Sequence, residues 1–339
     1  VGAHRDLLAY LVRRLLENGA NSSFVNQIVD TEVPAATVAQ DPFEALKTAQ
    51  TVVALPRDLF APERPNSRGI DLHDPLELAE FDAARQPFQE KQWQAGPILA
   101  VQAKGSTTQT VANPADPTDK VGALTLCHDE DIEAAIEAAT PWQSVAEERA
   151  SILRKAADLY EENAGETFAL LCREAGKTPA DAIAELREAV DFLRYYAARA
   201  TELNEPARGV FSCISPWNFP LAIFTGQIAA ALAAGNGVLA KPADPTGLIA
   251  AYAVRLLLKA GVPTPALQLL PGRGSTVGAA LTTASTINGV CFTGSTATAQ
   301  TINKAMAKTV EPTAPLIAET GGLNAMVVDS TALPEQAIK

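Results

Sequence analysis

From residue 210 onward, apolar blocks and polar turns alternate along the chain. Val210-Phe211-Ser212-Cys213-Ile214 is a short apolar run ended by Ser215-Pro216, and it predicts a buried strand. Pro216 and Pro220 bracket Trp217-Asn218-Phe219, which forces an ordered, non-helical turn at the strand's C-terminal edge. The apolar stretch 221–234 predicts a helix stopped by Gly235-Asn236-Gly237. Val238-Leu239-Ala240 is the next strand, and it delivers Lys241-Pro242 to the same edge. The pattern repeats with a helix at 247–260, a strand at 267–270, a glycine-rich turn at 271–278 and a helix through Thr282. A strand at 287–292 follows, then Thr293-Gly294-Ser295-Thr296 opening a helix at 297–308, and a strand at 315–318 leading into Glu319-Thr320-Gly321-Gly322. Residues 324–328 return to strand pattern, and a helix starts at Pro334. The class is α/β with a parallel sheet, in which ligands collect at the carboxyl ends of the strands.

Upstream the pattern differs. Residues 6–18 predict an amphipathic helix with Leu7, Leu8, Leu11, Leu15 and Leu16 as its stripe and Gly19 as its stop. Tyr10, Arg13, Arg14 and Glu17 lie three or four apart and share a neighbouring face. The two arginines read either as a solvated basic patch near a helix C-terminus or as guanidinium forks for a carboxylate ligand. Residues 23–25 predict a short strand. Across 30–95, Pro34, Pro42, Pro56, Pro62, Pro65, Pro75 and Pro87 interrupt the pattern. Apart from a helix expected within 41–53, this stretch reads as a linker or an arm wrapped on a larger body. A new domain begins near Pro97. It opens with a hairpin of 98–103 and 107–111, the turn Asn113-Pro114-Ala115 and a strand at 121–127. A helix at 129–139 has acids in its first turn, as the helix dipole prefers. Helices at 146–163, 165–175 and 179–202 carry mixed charges that read as solvated faces, with Glu188 and Asp191 as possible exceptions.

At 339 residues the chain exceeds one typical domain, and 47% hydrophobic residues suffice for a large core. A net charge of −12 argues against nucleic acid as a partner of this segment. No apolar run reaches the ~20 residues of a transmembrane helix. Cys127, Cys172, Cys213 and Cys291 are widely spaced, without CxxC or a secretory leader, so a reducing cytoplasm and no metal site are expected. The chain opens at Val1 in mid-helix pattern and reads as a piece of something longer.

The turns supply the candidate chemistry. Gly272, Gly274 and Gly278 give G-x-G-x-x-x-G between a strand and a helix, one residue longer than the standard dinucleotide fingerprint. Thr293-Gly294-Ser295-Thr296 places hydroxyls and N–H groups at a helix N-terminus, which suits a pyrophosphate. Either loop alone reads equally as an ordinary turn; two of them with Lys241 at one rim favour a dinucleotide. Lys241 can donate to ribose hydroxyls, with Asp244 as a second partner, or it is a surface lysine after a strand. Asn218 can present its amide to a developing oxyanion. Glu319, before a glycine pair that admits close backbone approach, is a candidate general base.

Four of these segments, 214–220, 241–244, 292–296 and 319–322, resemble the successive signatures of the aldehyde dehydrogenase superfamily. The run 318–325 is more similar to its Δ1-pyrroline-5-carboxylate dehydrogenase branch, and 8–19 resembles the last helix of the proline dehydrogenase barrel. Together they resemble the bifunctional proline catabolic flavoenzymes, over nearly the whole chain and most specifically at 6–26 and 207–328. The resemblance implies a barrel remnant at 1–29, a linker at 30–95 and a Rossmann-like NAD-binding domain at 96–339 that lacks the nucleophilic cysteine region. Asn218 would hold the thiohemiacetal oxyanion, and Glu319 would activate water for thioester hydrolysis. Lys241, with Asp244, would take the adenosine ribose. Gly274, Gly294 and Ser295 would lie at the pyrophosphate and Ile214, Ser215, Pro216 and Trp217 under the cofactor, with Gly278, Phe292, Thr293 and Gly321 completing the set. Glu188 would lie near the aldehyde's polar end. Arg13 and Arg14 would bind the proline carboxylate, with Tyr10 beside them and Glu17 in support.

The activity so implied is NAD-dependent oxidation of L-glutamate γ-semialdehyde to L-glutamate, coupled to FAD-dependent oxidation of L-proline. Electrons would pass to the membrane quinone pool from a cytoplasmic homo-oligomer, peripheral at the inner membrane. Two departures stand out. Asp244 occupies a position where the family more often has Glu, and the family's nucleophilic cysteine falls beyond Lys339, so this chain by itself is expected to be inactive in both reactions. The alternatives are a stand-alone aldehyde dehydrogenase with another substrate and a non-catalytic scaffold that lost its nucleophile.

Overall fold

The computed structural model describes residues 28–48, 53–322 and 324–333, together with Val12. The chain divides into two units, Val1–Leu55 and Pro56–Lys339. In the first, the helices α1 (Ala35–Val38) and α2 (Pro42–Thr48) are described. Tyr10, Arg13, Arg14 and Glu17, the strand expected at 23–25 and the helix expected from Pro334 lie outside the described residues.

In the second unit, the proline-rich stretch contains a helix that the sequence reading missed, α3 (Pro75–Arg85). Asp74 caps it by accepting from the Leu76 N–H, and Pro75 sits at its first position, where a missing N–H costs nothing. The proline starts a helix here instead of breaking one, and Phe81 on α3 is buried. Nearby, Arg64 donates to Asp191 at 2.7 Å and the Ser67 hydroxyl donates to its other oxygen at 2.6 Å. Asp191 therefore anchors this segment.

A small sheet holds β1 (Trp93–Ala95), β2 (Thr108–Asn113) and β3 (Asp116–Thr125) in the order β1-β3-β2. The expected hairpin is displaced by one element. The Asn113-Pro114-Ala115 turn, closed by the Ala115 N–H on Asn113 Oδ1, joins β2 to β3, and Ile98 makes only an isolated bridge to Leu269. The larger sheet contains β4 (Val210–Ile214), β5 (Gly237–Lys241), β6 (Leu267–Leu269), β7 (Ile287–Thr293) and β8 (Leu316–Glu319). Every pairing is parallel, in the order β6-β5-β4-β7-β8. The chain leaves β4 towards β5 and β6, then returns to the other side for β7 and β8. The crevice between β4 and β7 is thus a topological switch point.

The remaining helices are α4 (Asp129–Ala138), α5 (Ala146–Glu162), α6 (Ala164–Glu174), α7 (Pro179–Ala200), α8 (Ala222–Ala233), α9 (Gly247–Ala260), α10 (Ala279–Thr283) and α11 (Thr296–Thr309). Successive strand residues point to opposite faces, so a sheet covered on both sides must be apolar on both. Phe211, Cys213, Val238 and Ala240 join the core made with α5 to α9. Val210, Leu239, Val290 and Phe292 join the core made with α4, α10 and α11. Helix α8 is apolar over most of its surface because most of it is buried, with Thr225 and Gln227 as its polar side chains. A Cβ at its Gly226 would lie 2.9 Å from the Phe192 ring, so the approach of α7 requires glycine there.

The helix charges are not all on solvated faces: Glu174, Glu185 and Arg194 are buried. Arg194 is neutralised in place by Asp158 at 3.0 Å and Glu161 at 2.8 Å. Residues 324–328 form no strand, and Val327 is 93% exposed. A strand pattern becomes a strand only beside a partner edge, and among the described residues nothing pairs with this one.

Candidate active site

Strand register, more than any single motif, builds the site. Ile214 stands opposite both Lys241 and Phe292, and Thr293 stands opposite Glu319, so four strands end in one row. Above this row lies a cleft of about 960 Å³. Ile214, Ser215, Pro216, Trp217 and Asn218 line it from the turn after β4, Lys241 and Asp244 after β5, and Gly274 after β6. Phe292, Thr293, Gly294 and Ser295 line it after β7, and Glu319 and Gly321 after β8. Gly278 is set back. The turn over Gly274–Gly278 winds as a π-helix and carries it inward, where a Cβ would meet the aliphatic stem of Lys241 at 3.6 Å. Glu188 does not line the cleft. Its carboxyl is raised by partial burial and by Glu185, with Lys177 pulling the other way.

The charges at this rim are arranged by burial. Lys241 is no surface lysine: it is 3% exposed, and its ammonium donates to the Pro242 carbonyl at 2.9 Å and to the exposed Asp244 at 3.0 Å. The Ser295 hydroxyl caps α11 by accepting from the Thr298 N–H at 3.2 Å. The Gly294 N–H donates to the Glu319 carbonyl at 3.1 Å, so an anion at this loop is left with the N-terminal end of α11 and its hydroxyls. Gln227 on α8 reaches up to Thr293 Oγ1 at 3.0 Å and ties the ends of β4 and β7 together from below. Asn218 and Glu319 are exposed to the cleft, and among the described residues the Asn218 side-chain amide has no hydrogen-bond partner.

Two residues that sequence reasoning passed over stand behind the Asn218 turn. Lys177 donates to the Asn218 carbonyl at 2.6 Å, and its ammonium lies 2.9 Å from Glu185 Oε1, an ion pair not aligned as a hydrogen bond. The other oxygen of Glu185 accepts the N–H groups of Leu221 and Ala222. A signal was present for Glu185. It lies three residues after Ala182 and four before Ala189, inside the apolar stripe of α7.

No cysteine lines the cleft. Cys213 and Cys291 face each other on β4 and β7, and the Cys213 thiol is held well above its usual range by its hydrogen bond to Cys291 and by burial. Burial pushes Cys127 up to about 12. Among the described residues no helix is long and apolar enough to cross a membrane, and no group of His, Cys, Asp and Glu could hold a metal ion.

A buried ammonium beside an exposed carboxylate, a capped helix N-terminus and an open glycine at 274 suit the ribose and pyrophosphate of a dinucleotide. The profile of the aldehyde dehydrogenase family matches residues 101–339. The chain belongs to the aldehyde dehydrogenase family. The proline dehydrogenase family matches residues 1–27. The bifunctional protein PutA of Klebsiella aerogenes is 50% identical over 100% of this chain, which spans 27% of that protein's length. Among solved structures, a mutant of Bradyrhizobium japonicum proline utilization A is 44% identical with a TM-score of 0.79, over 99% of this chain and 34% of its own. A Thermus 1-pyrroline-5-carboxylate dehydrogenase with bound NAD is 29% identical with a TM-score of 0.69, over 76% of this chain and 55% of its own. Like that aldehyde dehydrogenase relative, this chain is an α/β protein built on a parallel sheet.

Proposed function

We propose that this chain forms the NAD-binding part of an L-glutamate γ-semialdehyde dehydrogenase, whose full-length protein also oxidises L-proline with FAD. The observation that carries this reading is the convergence of Asn218, Lys241, Ser295 and Glu319 on one rim at the sheet's switch point. In this reading residues 1–29 end a proline dehydrogenase barrel, 30–95 connect, and the dehydrogenase domain begins at 96. Lys241 and Asp244 hold the adenosine ribose, Gly274, Gly294 and Ser295 border the pyrophosphate, and Ile214 to Trp217 form the floor. NAD held by these residues would supply the hydride acceptor for the substrate carbon. Asn218 donates its amide hydrogen to the substrate oxygen as charge develops there. Glu319 takes a proton from the water that releases the acyl group. Arg13 and Arg14 pair with the carboxylate of L-proline, with Tyr10 and Glu17 beside them.

The thiol that carries the acyl group comes, in this reading, from outside residues 1–339. Electrons from proline reach the membrane quinone pool, and the enzyme is a cytoplasmic homo-oligomer at the inner membrane.

The test uses the full-length protein. NADH formation is followed with L-glutamate γ-semialdehyde and with an unfunctionalised aliphatic aldehyde. A preference for the semialdehyde is expected, with Glu319→Ala giving one turnover and then stalling as an acyl-enzyme. Equal rates on the two aldehydes would overturn the substrate assignment, and full turnover by Glu319→Ala would overturn the base.

A further inference from the structure

The turn that carries Asn218 has little of its own to hold it. It lies between two prolines, neither of which can donate an N–H, and Trp217, Asn218 and Phe219 are all exposed. Yet an amide hydrogen stabilises a developing oxyanion only over a narrow range of distance and angle.

Resting on the dehydrogenase reading above, we infer that Lys177 and Glu185 are positioning residues that hold Asn218 in its working orientation. Lys177 donates to the Asn218 carbonyl at 2.6 Å and lies 4.7 Å from the centroid of the Phe219 ring. Its ammonium is 2.9 Å from Glu185 Oε1, while Glu185 Oε2 accepts from Leu221 N–H at 3.2 Å and from Ala222 N–H at 2.8 Å. The pair therefore grips the chain on both sides of Pro220. Because the peptide unit is planar, fixing the carbonyl of residue 218 fixes the plane that holds its Cα, the atom from which the side chain departs.

The grip is itself rigid. The Glu185 side chain is 1% exposed and that of Lys177 15%, so water does not readily replace either partner. Gly176 adopts φ +67°, the Lys177 N–H donates to the Leu171 carbonyl at 3.3 Å, and Thr178 caps α7 one residue later. Capping of α8 would need Glu185 alone. The bond from Lys177 to a carbonyl four residues before that helix has no part in capping, and it is the contact that reaches the site.

The experiment is a double-mutant cycle in the full-length protein. It measures kcat for semialdehyde oxidation, and NAD affinity from quenching of tryptophan fluorescence. Lys177→Met is expected to lower kcat by about 10- to 100-fold with NAD affinity within about twofold, and Lys177→Arg to restore part of the rate. In an Asn218→Ala background, Lys177→Met should cost nothing further, because residues acting as one unit are non-additive. Should Lys177→Met fail to fold, Lys177→Ala, which likewise removes the donor to the carbonyl, carries the same cycle. Equal factors with and without Asn218 would overturn the positioning role. So would a slow Asn218→Ala enzyme beside an unimpaired Lys177→Met enzyme, with the dehydrogenase reading left standing. An unimpaired Asn218→Ala enzyme would instead overturn the oxyanion assignment itself.

Discussion

Glu174 and Glu185 both reach from one helix to cap the start of another, in different electrostatic surroundings. Glu174, at the end of α6, accepts the N–H groups of Leu248 and Ile249, each at 2.8 Å; Glu185, on α7, accepts those of Leu221 and Ala222. Neither α8 nor α9 has a side-chain cap from the residue before it, so a distant carboxylate supplies the acceptor that the local sequence lacks. Glu185 has the Lys177 ammonium at 2.9 Å. Glu174 has no cationic side chain within hydrogen-bonding reach among the described residues, and burial pushes its carboxyl up to about 8 against the pull of its two N–H donors. Capping a buried helix start evidently needs no counter-charge. Of these two caps, the one beside the Asn218 turn carries the lysine.

The largest expected effect tests that difference directly. Glu185→Ala leaves Lys177 without its buried partner and two N–H groups without acceptors, and should cost about 3–5 kcal/mol in a urea unfolding titration. Glu174→Ala removes only the acceptors and should cost about 1–3 kcal/mol. Equal losses would erase the distinction.

The next effect is in pH. A carboxyl raised from 4.5 to about 8 by burial binds its proton more tightly in the folded chain than in the unfolded one. Its contribution to stability is therefore fully present below pH 4.5 and is lost as pH rises towards 8. The slope approaches about 1.4 kcal/mol per pH unit within that window. Glu174→Gln keeps a neutral acceptor and should flatten this part of the stability profile; an unchanged slope would remove Glu174 as its source. The smallest effect concerns the reverse arrangement, the buried cation Lys241 with its exposed partner Asp244. Lys241→Met should weaken NAD binding by about tenfold, about 1.4 kcal/mol, read from quenching of tryptophan fluorescence. Unchanged affinity would separate Lys241 from the cofactor.

Strands β4, β5 and β7 and helices α8, α9 and α11 were legible because each is announced locally, by an apolar run or by a glycine, proline or serine at its boundary. Helix α3 was not, because Pro75 looks the same before a helix and inside a broken one until Asp74 is seen to cap it. Arg64 read as an ordinary charge and Asp191 as no more than a possible exception, since the partner of each lies 127 positions away.

The sequence by itself determined the order of β4 to β8 with the helices between them and the kinds of side chain at each strand end, because those depend on residues within one element's reach. The tertiary structure alone decided that Ile214, Lys241 and Phe292 stand in one row, and which charges lie inside. Register is a relation between strands. The burial of Glu174, Glu185 and Lys241 depends on which helix start or carbonyl is folded against each of them, and no window of the chain around those residues contains that information.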